Sequence, residues 1–143
     1  ELRIYNDEEY GYHWGIDVMS QEGTKVHAAD DGQVAEVFEI SDLSEDYGGE
    51  TYGNCVILQH NYQNQKIYTL YGHLAYLDGT IKKGDKVLKG HQFGTLGKGF
   101  TVENGGWPPH LHFQIAKSQF GLFAYGGLEL EKETINPLDV FST

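Results

Sequence analysis

The chain has 143 residues, of which 39% are hydrophobic and 22% are charged. This size predicts a single globular domain, residues 1–143, that is large enough to bury a core without cross-links. The net charge of −11 argues against nucleic acid as a partner, because that binding depends on cationic contacts to phosphate. No apolar run approaches the roughly 18 residues of a membrane span, and no signal-peptide pattern is present. Because the chain begins at Glu1 and holds one Met, we expect a processed product or an excised domain.

Short apolar or alternating runs recur between turn signals, which is typical of an all-β sandwich or barrel. Nineteen Gly beside nineteen aromatic residues agree with a chain of many tight turns. No stretch of a dozen residues holds a helical period, so any helix should be short. Surface loops are predicted at 41–53 and 99–109, and an added hairpin within 117–133. The predicted strands are 33–40, 54–60 and 66–74, the last two joined as a hairpin, followed by 87–89, 93–96 and 110–116.

Four reactive side chains are expected to have no chemical role. Cys55 lies in an apolar run and is the only cysteine, so we interpret it as a small buried core residue. His27 follows a turn and is predicted to lie on the surface. His60 at a strand end and His91 in a Gly-flanked turn are likewise assigned no direct part in chemistry.

Two histidines, His110 and His112, stand two residues apart inside the predicted strand 110–116. Alternate residues of a strand share a face, so the imidazoles should point the same way roughly 6 to 7 Å apart. That spacing suits one metal ligand beside one catalytic base. Such a pair also arises by chance in a chain with seven His, so a metal site needs further ligands elsewhere.

His13 and Asp17 are candidates for those ligands. Zinc binds imidazole nitrogen and carboxylate oxygen at about 2.0 to 2.2 Å, and catalytic sites typically use three protein ligands. His13, Asp17 and one member of the 110/112 pair form such a set. Four residues of ideal strand span about 13 Å, so the segment between the two ligands must bend. Gly15 is the residue there that best tolerates unusual dihedrals and close backbone approach.

Three motifs, taken in chain order, resemble the signature motifs of the M23 family of zinc metallopeptidases, of the lysostaphin and LytM type. They are His13-x-Gly-x-Asp17, Tyr71-Gly72-His73 and Trp107-Pro-Pro-His-Leu-His-Phe113. Stretches at 23–34, 84–97 and 136–138 are also similar to the family, whereas 118–133 is the least familiar part. The resemblance implies a barrel-sandwich hybrid, or duplicated hybrid motif, of antiparallel sheets with the site at the mouth of a groove.

The same resemblance implies that His13, Asp17 and His112 bind Zn²⁺, while His73 and His110 are the catalytic imidazoles. An open-site zinc polarises a scissile carbonyl and lowers the pKa of its water toward about 7. Because the motifs supply no nearby Glu, one imidazole must take the water proton and the other donate toward the oxyanion or leaving amine. Our hypothesis makes His110 the base because it neighbours a ligand in sequence.

Side chains around such a site are less constrained by the sequence. The predicted loops 41–53 and 99–109 would wall the groove, with Trp107 or Tyr47 lining it. An upstream tyrosine could stabilise the tetrahedral intermediate, and nothing in the sequence chooses among the candidates Tyr5, Tyr10 and Tyr12.

The function implied by the resemblance is a monomeric zinc endopeptidase that hydrolyses peptide cross-links or stem peptides of bacterial peptidoglycan. Its expected location is the cell envelope, periplasmic or extracellular, or else a cytosolic module of a longer chain. One alternative is a non-catalytic binding or regulatory module of this type, which the five filled motif positions argue against. Another is a phosphohistidine carrier, which has no use for His13 and Asp17. A lipoyl-type module would need an exposed Lys at a tight hairpin tip, and Lys89-Gly90 is only a faint match.

Overall fold

A computed structural model describes residues 6–7, 11–13, 15–39, 53–77, 79–101, 107–118, 125–126 and 134–141. At 6–7, 11–13 and 125–126 it describes the backbone alone. These parts of the chain form twelve strands and one short helix. The strands β1 to β12 are Asn6–Asp7, Gly11–His13, Ile16–Met19, Lys25–His27, Gly32–Phe38, Asn54–Tyr62, Gln65–Leu74, Lys86–Val87, Gln92–Thr95, His110–Ala116, Tyr125–Gly126 and Thr134–Ile135, and helix α1 is Pro137–Phe141.

The largest unit is a seven-stranded sheet with the order β12-β10-β7-β6-β5-β8, in which β3 also pairs with β10. Its pairings are antiparallel, as are those of the small sheets β1-β2-β11 and β4-β9. The predicted all-β class with antiparallel sheets is therefore confirmed. No helix in the described part of the chain is long and apolar enough to cross a membrane.

The predicted hairpin of strands 54–60 and 66–74 is confirmed as β6 and β7, which are slightly longer than expected. Gln63 and Asn64 form its two-residue loop with φ of 49° and 63°. Two central residues with positive φ match the twist of the flanking strands, and Asn tolerates that conformation well. Most of the predicted loop 41–53, the middle of 99–109 and most of 117–133 lie outside the described residues.

The central sheet has an apolar cluster on each face. Val56, Leu58, Tyr71 and Ile115 belong to the larger cluster. The alternate positions Cys55, Ile57, Leu70 and Ala116 form the smaller cluster, as the period of two along a strand requires. Cys55 is 5% exposed, and burial raises the pKa of its thiol to about 12, which confirms it as an unreactive core residue.

A chain of buried polar groups crosses the larger cluster. The Thr69 hydroxyl contacts His60 Nε2 at 2.7 Å and the Tyr71 hydroxyl at 3.1 Å. The other ends are tied to backbone: His60 Nδ1 donates to the Asp31 carbonyl at 2.8 Å, and the Ala29 N–H donates to the Tyr71 oxygen at 2.9 Å. Burial raises the pKa of Tyr71 to about 12, so its hydroxyl stays neutral. The chain therefore fixes the turn at residues 29–31 onto β6 and β7.

We predict that Thr69→Val lowers the free energy of unfolding by about 2 to 3 kcal/mol, because it leaves two buried polar partners without their shared hydroxyl. Urea unfolding followed by circular dichroism measures the loss. Thr24→Val is the matched control, since the exposed Thr24 hydroxyl bonds Ser20 and the Gln21 carbonyl where water can replace it. Its cost should stay below about 0.5 kcal/mol. Equal costs at the two positions would contradict the interpretation.

Candidate active site

Strand β10 carries His110 and His112 on one face, as the period of two predicts. Ala116 lies on the same face of the sheet, so the two imidazoles are on the side of the smaller apolar cluster. Strand β3 runs antiparallel beside β10 in a register that places Asp17 opposite His112. The Asp17 side chain therefore points to the same face as the two imidazoles.

Asp17 brings its carboxylate to both histidines of β10. Its Oδ1 lies 3.2 Å from His112 Nδ1 and 3.6 Å from His110 Nε2. The three side chains are 14%, 1% and 7% exposed in the order Asp17, His112 and His110. Removing a carboxylate from water is costly unless charge compensates it, so this arrangement favours a cation or a protonated imidazole at the same point.

His73 reaches this face by an irregularity in β7. Asn54 pairs with Leu74 and Val56 with Tyr71, so one β6 residue opposes the two residues Gly72 and His73. This is a β-bulge, which bends a strand and re-aims a side chain. Without it, His73 would share the face of Tyr71, in the larger cluster. With it, the His73 ring centroid lies 4.2 Å from that of His110 and 6.3 Å from that of His112.

The bulge places His73 in the left-handed region, with φ of 63°. A residue with a Cβ pays about 1 to 2 kcal/mol there. Such strain persists only where the surroundings impose it, and it concentrates at functional sites. The sequence predicted His73 as a site residue from its motif alone and missed the bulge, although Gly72 is the kind of strand glycine that often marks one.

Gly15 lets the backbone pass close to the His112 ring. The chain turns between β2 and β3, which belong to different sheets, as the reach argument predicted for this segment. A Cβ at Gly15 would lie 2.9 Å from His112 Cε1 and Nε2 and 2.8 Å from the Phe113 carbonyl oxygen. Gly15 does not have a positive φ, so the backbone conformation does not require a glycine there. The glycine is required because a side chain would collide with these atoms. The backbone of His13 in β2 precedes Gly15 in the chain, and Asp17 in β3 follows it.

Each histidine of β10 donates a hydrogen bond from one ring nitrogen to a neighbouring acceptor. His110 Nδ1 donates to the Pro108 carbonyl at 2.7 Å. His112 Nε2 donates to Gln114 Oε1 at 3.3 Å, and the Gln114 side chain is fully buried. The remaining nitrogens, His110 Nε2 and His112 Nδ1, both face Asp17. Sequence reasoning missed Gln114, although the period of two from His112 places it on the site face.

The donor set fits zinc as far as it is described. A carboxylate oxygen and an imidazole Nδ1 converge, and His112 carries an acceptor on its other nitrogen, as metal-ligating histidines almost always do. Among the side chains that the structure describes, no group of three or more His, Cys, Asp or Glu is close enough to hold a metal. The third predicted ligand, His13, is described by its backbone alone, in β2.

The other predicted groove residues have mixed outcomes. Trp107 is half-buried and its carbonyl accepts from the Phe100 N–H at 2.8 Å, next to the Pro pair that precedes β10. Tyr12 is described by its backbone only. Tyr5, Tyr10 and Tyr47 lie outside the described residues. The structure describes His27 and His91 as exposed, and His60 belongs to the buried polar chain.

A family model and two known proteins match this chain. The model of peptidase family M23 matches residues 11–134, which confirms the resemblance carried by the three motifs. Glycyl-glycine endopeptidase ALE-1 of Staphylococcus capitis is 32% identical over 111 residues, covering 77% of this chain and 26% of that protein. Endolysin 2638A of Staphylococcus phage 2638A is 32% identical over 133 residues, covering 90% and 25%. The chain thus spans about a quarter of the length of these relatives.

A solved structure supports the same relationship. The catalytic domain of the antimicrobial peptidase lysostaphin from Staphylococcus simulans superposes with a TM-score of 0.61 at 25% sequence identity. The match covers 92% of this chain and 80% of that one. Similarity over nearly the whole of a catalytic domain agrees with the all-β fold described above.

The left-handed backbone at His73 predicts an inverted order of stability for two substitutions. His73→Gly should be more stable than His73→Ala by about 1 kcal/mol, because only Gly adopts positive φ without a Cβ penalty. Lys66 is the control: it is exposed on the same strand, and Gly there should be less stable than Ala by about 0.5 to 1 kcal/mol. Thermal and urea unfolding of the four variants measure both differences. The same order at both positions would contradict the bulge.

Proposed function

Because the chain belongs to peptidase family M23, we propose that it is a zinc-dependent endopeptidase that hydrolyses peptide cross-links or stem peptides of bacterial peptidoglycan. The observation that carries the proposal is the convergence of Asp17, His112, His110 and His73 on one face of the sheet. We further propose that residues 1–143 act as one catalytic domain, as a monomer, in the cell envelope.

His13, Asp17 and His112 would hold the zinc ion in this proposal. When bound, zinc supplies Lewis-acid activation of the attacking water and of the scissile carbonyl. Gln114 supports the ligand role of His112, because its Oε1 accepts from Nε2 and leaves Nδ1 facing Asp17. Gly15 supports the ligand role of its neighbours, because only a residue without a side chain can cross the His112 ring so closely.

His110 is proposed as the general base, at Nε2. Its Nδ1 carries the proton that is donated to Pro108, so the neutral ring keeps a lone pair on Nε2. That atom lies 3.6 Å from Asp17 Oδ1, whose negative charge stabilises the imidazolium formed when Nε2 takes a proton. The proximity of a buried carboxylate therefore matches a base that must hold a proton transiently.

His73 is proposed to act on the other side of the reacting carbonyl. Its ring lies against that of His110 at 4.2 Å, so both imidazoles can face one substrate bond. While His110 takes the water proton, His73 can donate a hydrogen bond to the developing oxyanion or a proton to the leaving amine. Either role needs His73 on the face that the bulge provides.

The substrate is proposed to be a short peptide of the cell wall, with glycyl bonds or bonds to D-amino acids. The name of the relative ALE-1 states glycyl-glycine endopeptidase activity for that protein, which favours a small-residue peptide here. The net charge of −11 disfavours docking on polyanionic wall polymers by charge alone. Recognition would then depend on contacts to the peptide in the groove.

The proposal predicts that purified protein binds about one zinc per chain and releases peptide ends from peptidoglycan. Zinc is measured by mass spectrometry of the metal, and the released ends by mass spectrometry after digestion of walls with several cross-link chemistries. A chelator should abolish release and added zinc should restore it. Absence of zinc would sink the metalloenzyme and favour a binding module. Zinc without release from any wall would sink the wall substrate.

Substitutions should separate the proposed ligands from the proposed catalytic imidazoles. Asp17→Asn should lose zinc and activity together, because it removes the charge that a dication requires. His110→Asn and His73→Asn should retain zinc while kcat falls by about a hundredfold or more. Asn is chosen at position 73 because it tolerates positive φ. His91→Asn, at an exposed position, is the control and should leave both readouts unchanged. Full activity in either imidazole variant would remove that residue from the mechanism.

A further inference from the structure

Asn54 is a buried polar residue to which the proposed chemistry gives no direct role. It begins β6 and is fully buried, opposite Leu74 across the hairpin. Its Nδ2 donates to the Leu74 carbonyl at 3.1 Å. That carbonyl belongs to the residue immediately after His73, where β7 leaves its regular register. The side chain of Asn54 is therefore bonded to the end of the bulge.

A second contact holds the bulge from the other side. The Gly97 N–H donates to the His73 carbonyl at 2.9 Å. A Cβ at Gly97 would lie 3.2 Å from the Leu74 carbonyl oxygen and 3.3 Å from that of His73, so a side chain there would crowd both. The carbonyls of two consecutive residues, 73 and 74, are thus fixed by two segments that are distant from each other in sequence.

These contacts explain how the strained conformation of His73 persists. Without such contacts, a residue with a Cβ adopts negative φ, because steric repulsion disfavours positive φ. In a regular strand the His73 side chain would then lie with Tyr71, on the face opposite to His110. Hydrogen bonds that hold the carbonyls of the two successive peptide groups, 73–74 and 74–75, resist that rotation.

We propose that Asn54 is a positioning residue for His73, acting through the Leu74 carbonyl to hold the imidazole beside His110. The inference depends on the proposed function, since it concerns how His73 acts in catalysis. Asn54 itself lies on the larger cluster's face of the sheet, with Val56 and Leu58, and touches no substrate. Its effect on the reaction passes through the backbone.

A purely structural Asn54 would make a different prediction. Losing a buried hydrogen bond for stability alone would lower the unfolding free energy and leave the folded fraction fully active. A positioning role predicts that the folded variant has a lower kcat, with KM and zinc affinity unchanged. Misplacement of a catalytic group by about 1 Å can cost up to about a hundredfold in rate.

The test uses Asn54→Asp, which keeps the shape and replaces the donor with a carboxylate that repels the Leu74 carbonyl. We expect kcat on peptidoglycan to fall about tenfold or more, with KM and zinc affinity within about twofold of wild type. The ¹³Cα chemical shift of His73, which reports its φ, should move away from the left-handed value. Asn61→Asp is the matched control, because Asn61 is exposed on the same strand, and it should change none of these quantities.

Two further variants test the positioning role independently of the single Asn54→Asp variant. In a His73→Asn background, Asn54→Asp should cause no additional loss of the residual activity, because the two residues act as one unit. If Asn54→Asp fails to fold, Gly97→Ala tests the same bulge and should also lower kcat with zinc retained. Unchanged kcat in the folded variant, or an unmoved His73 shift, would overturn the positioning role. A wild type that binds no zinc and cleaves no wall overturns the proposed function instead, and the His73 shift still decides whether Asn54 holds the bulge.

Discussion

The geometry of the site depends on which face of the central sheet each side chain occupies. Along a regular strand that face is fixed by the period of two, and one inserted residue reverses it for everything that follows. Strand β10 is regular, so His110 and His112 share a face by necessity. Strand β7 is regular as far as Tyr71, and its period would then place His73 on the opposite face. The bulge at Gly72 and His73 is therefore the condition for having three imidazoles on one side.

This condition has an energetic cost that the surrounding structure offsets. Positive φ at His73 costs about 1 to 2 kcal/mol, which is a noticeable part of the 5 to 15 kcal/mol that stabilises a typical domain. Close to the bulge on the same strand, Thr69 and Tyr71 are joined to His60 in the buried polar chain. That chain and the apolar cluster around it hold the preceding part of β7 in regular register with β6. On β7 the strain is consequently confined to His73, where it directs the imidazole toward His110.

The parts of the site that follow from periodicity and reach could be predicted from the sequence. The common face of His110 and His112, the bend around Gly15 and the buried Cys55 are of this kind, because each follows from local chain geometry. The bulge was not predicted, because a single Gly in a strand, such as Gly72, also marks close backbone approach, and His73 itself gives no sign of the left-handed region. The hydrogen bond from Asn54 to Leu74 and the close approach of Gly97 to that carbonyl arise from tertiary contacts. The ligand roles of His13, Asp17 and His112 stay predictions, and the side chain of His13 is outside the described residues.

The different environments of His110 and His112 follow from which ring nitrogen of each donates a hydrogen bond to a neighbouring acceptor. The Pro108 carbonyl accepts a hydrogen bond from His110 Nδ1, so Nε2, at the far end of the ring, faces Asp17. Gln114 Oε1 accepts a hydrogen bond from His112 Nε2, so Nδ1, the atom nearer the backbone, faces the same carboxylate. One imidazole thus presents its tip and the other its inner nitrogen. The Pro108 carbonyl and the Gln114 side chain thereby leave a different nitrogen of each imidazole facing Asp17, which supports the proposed division into a base and a ligand.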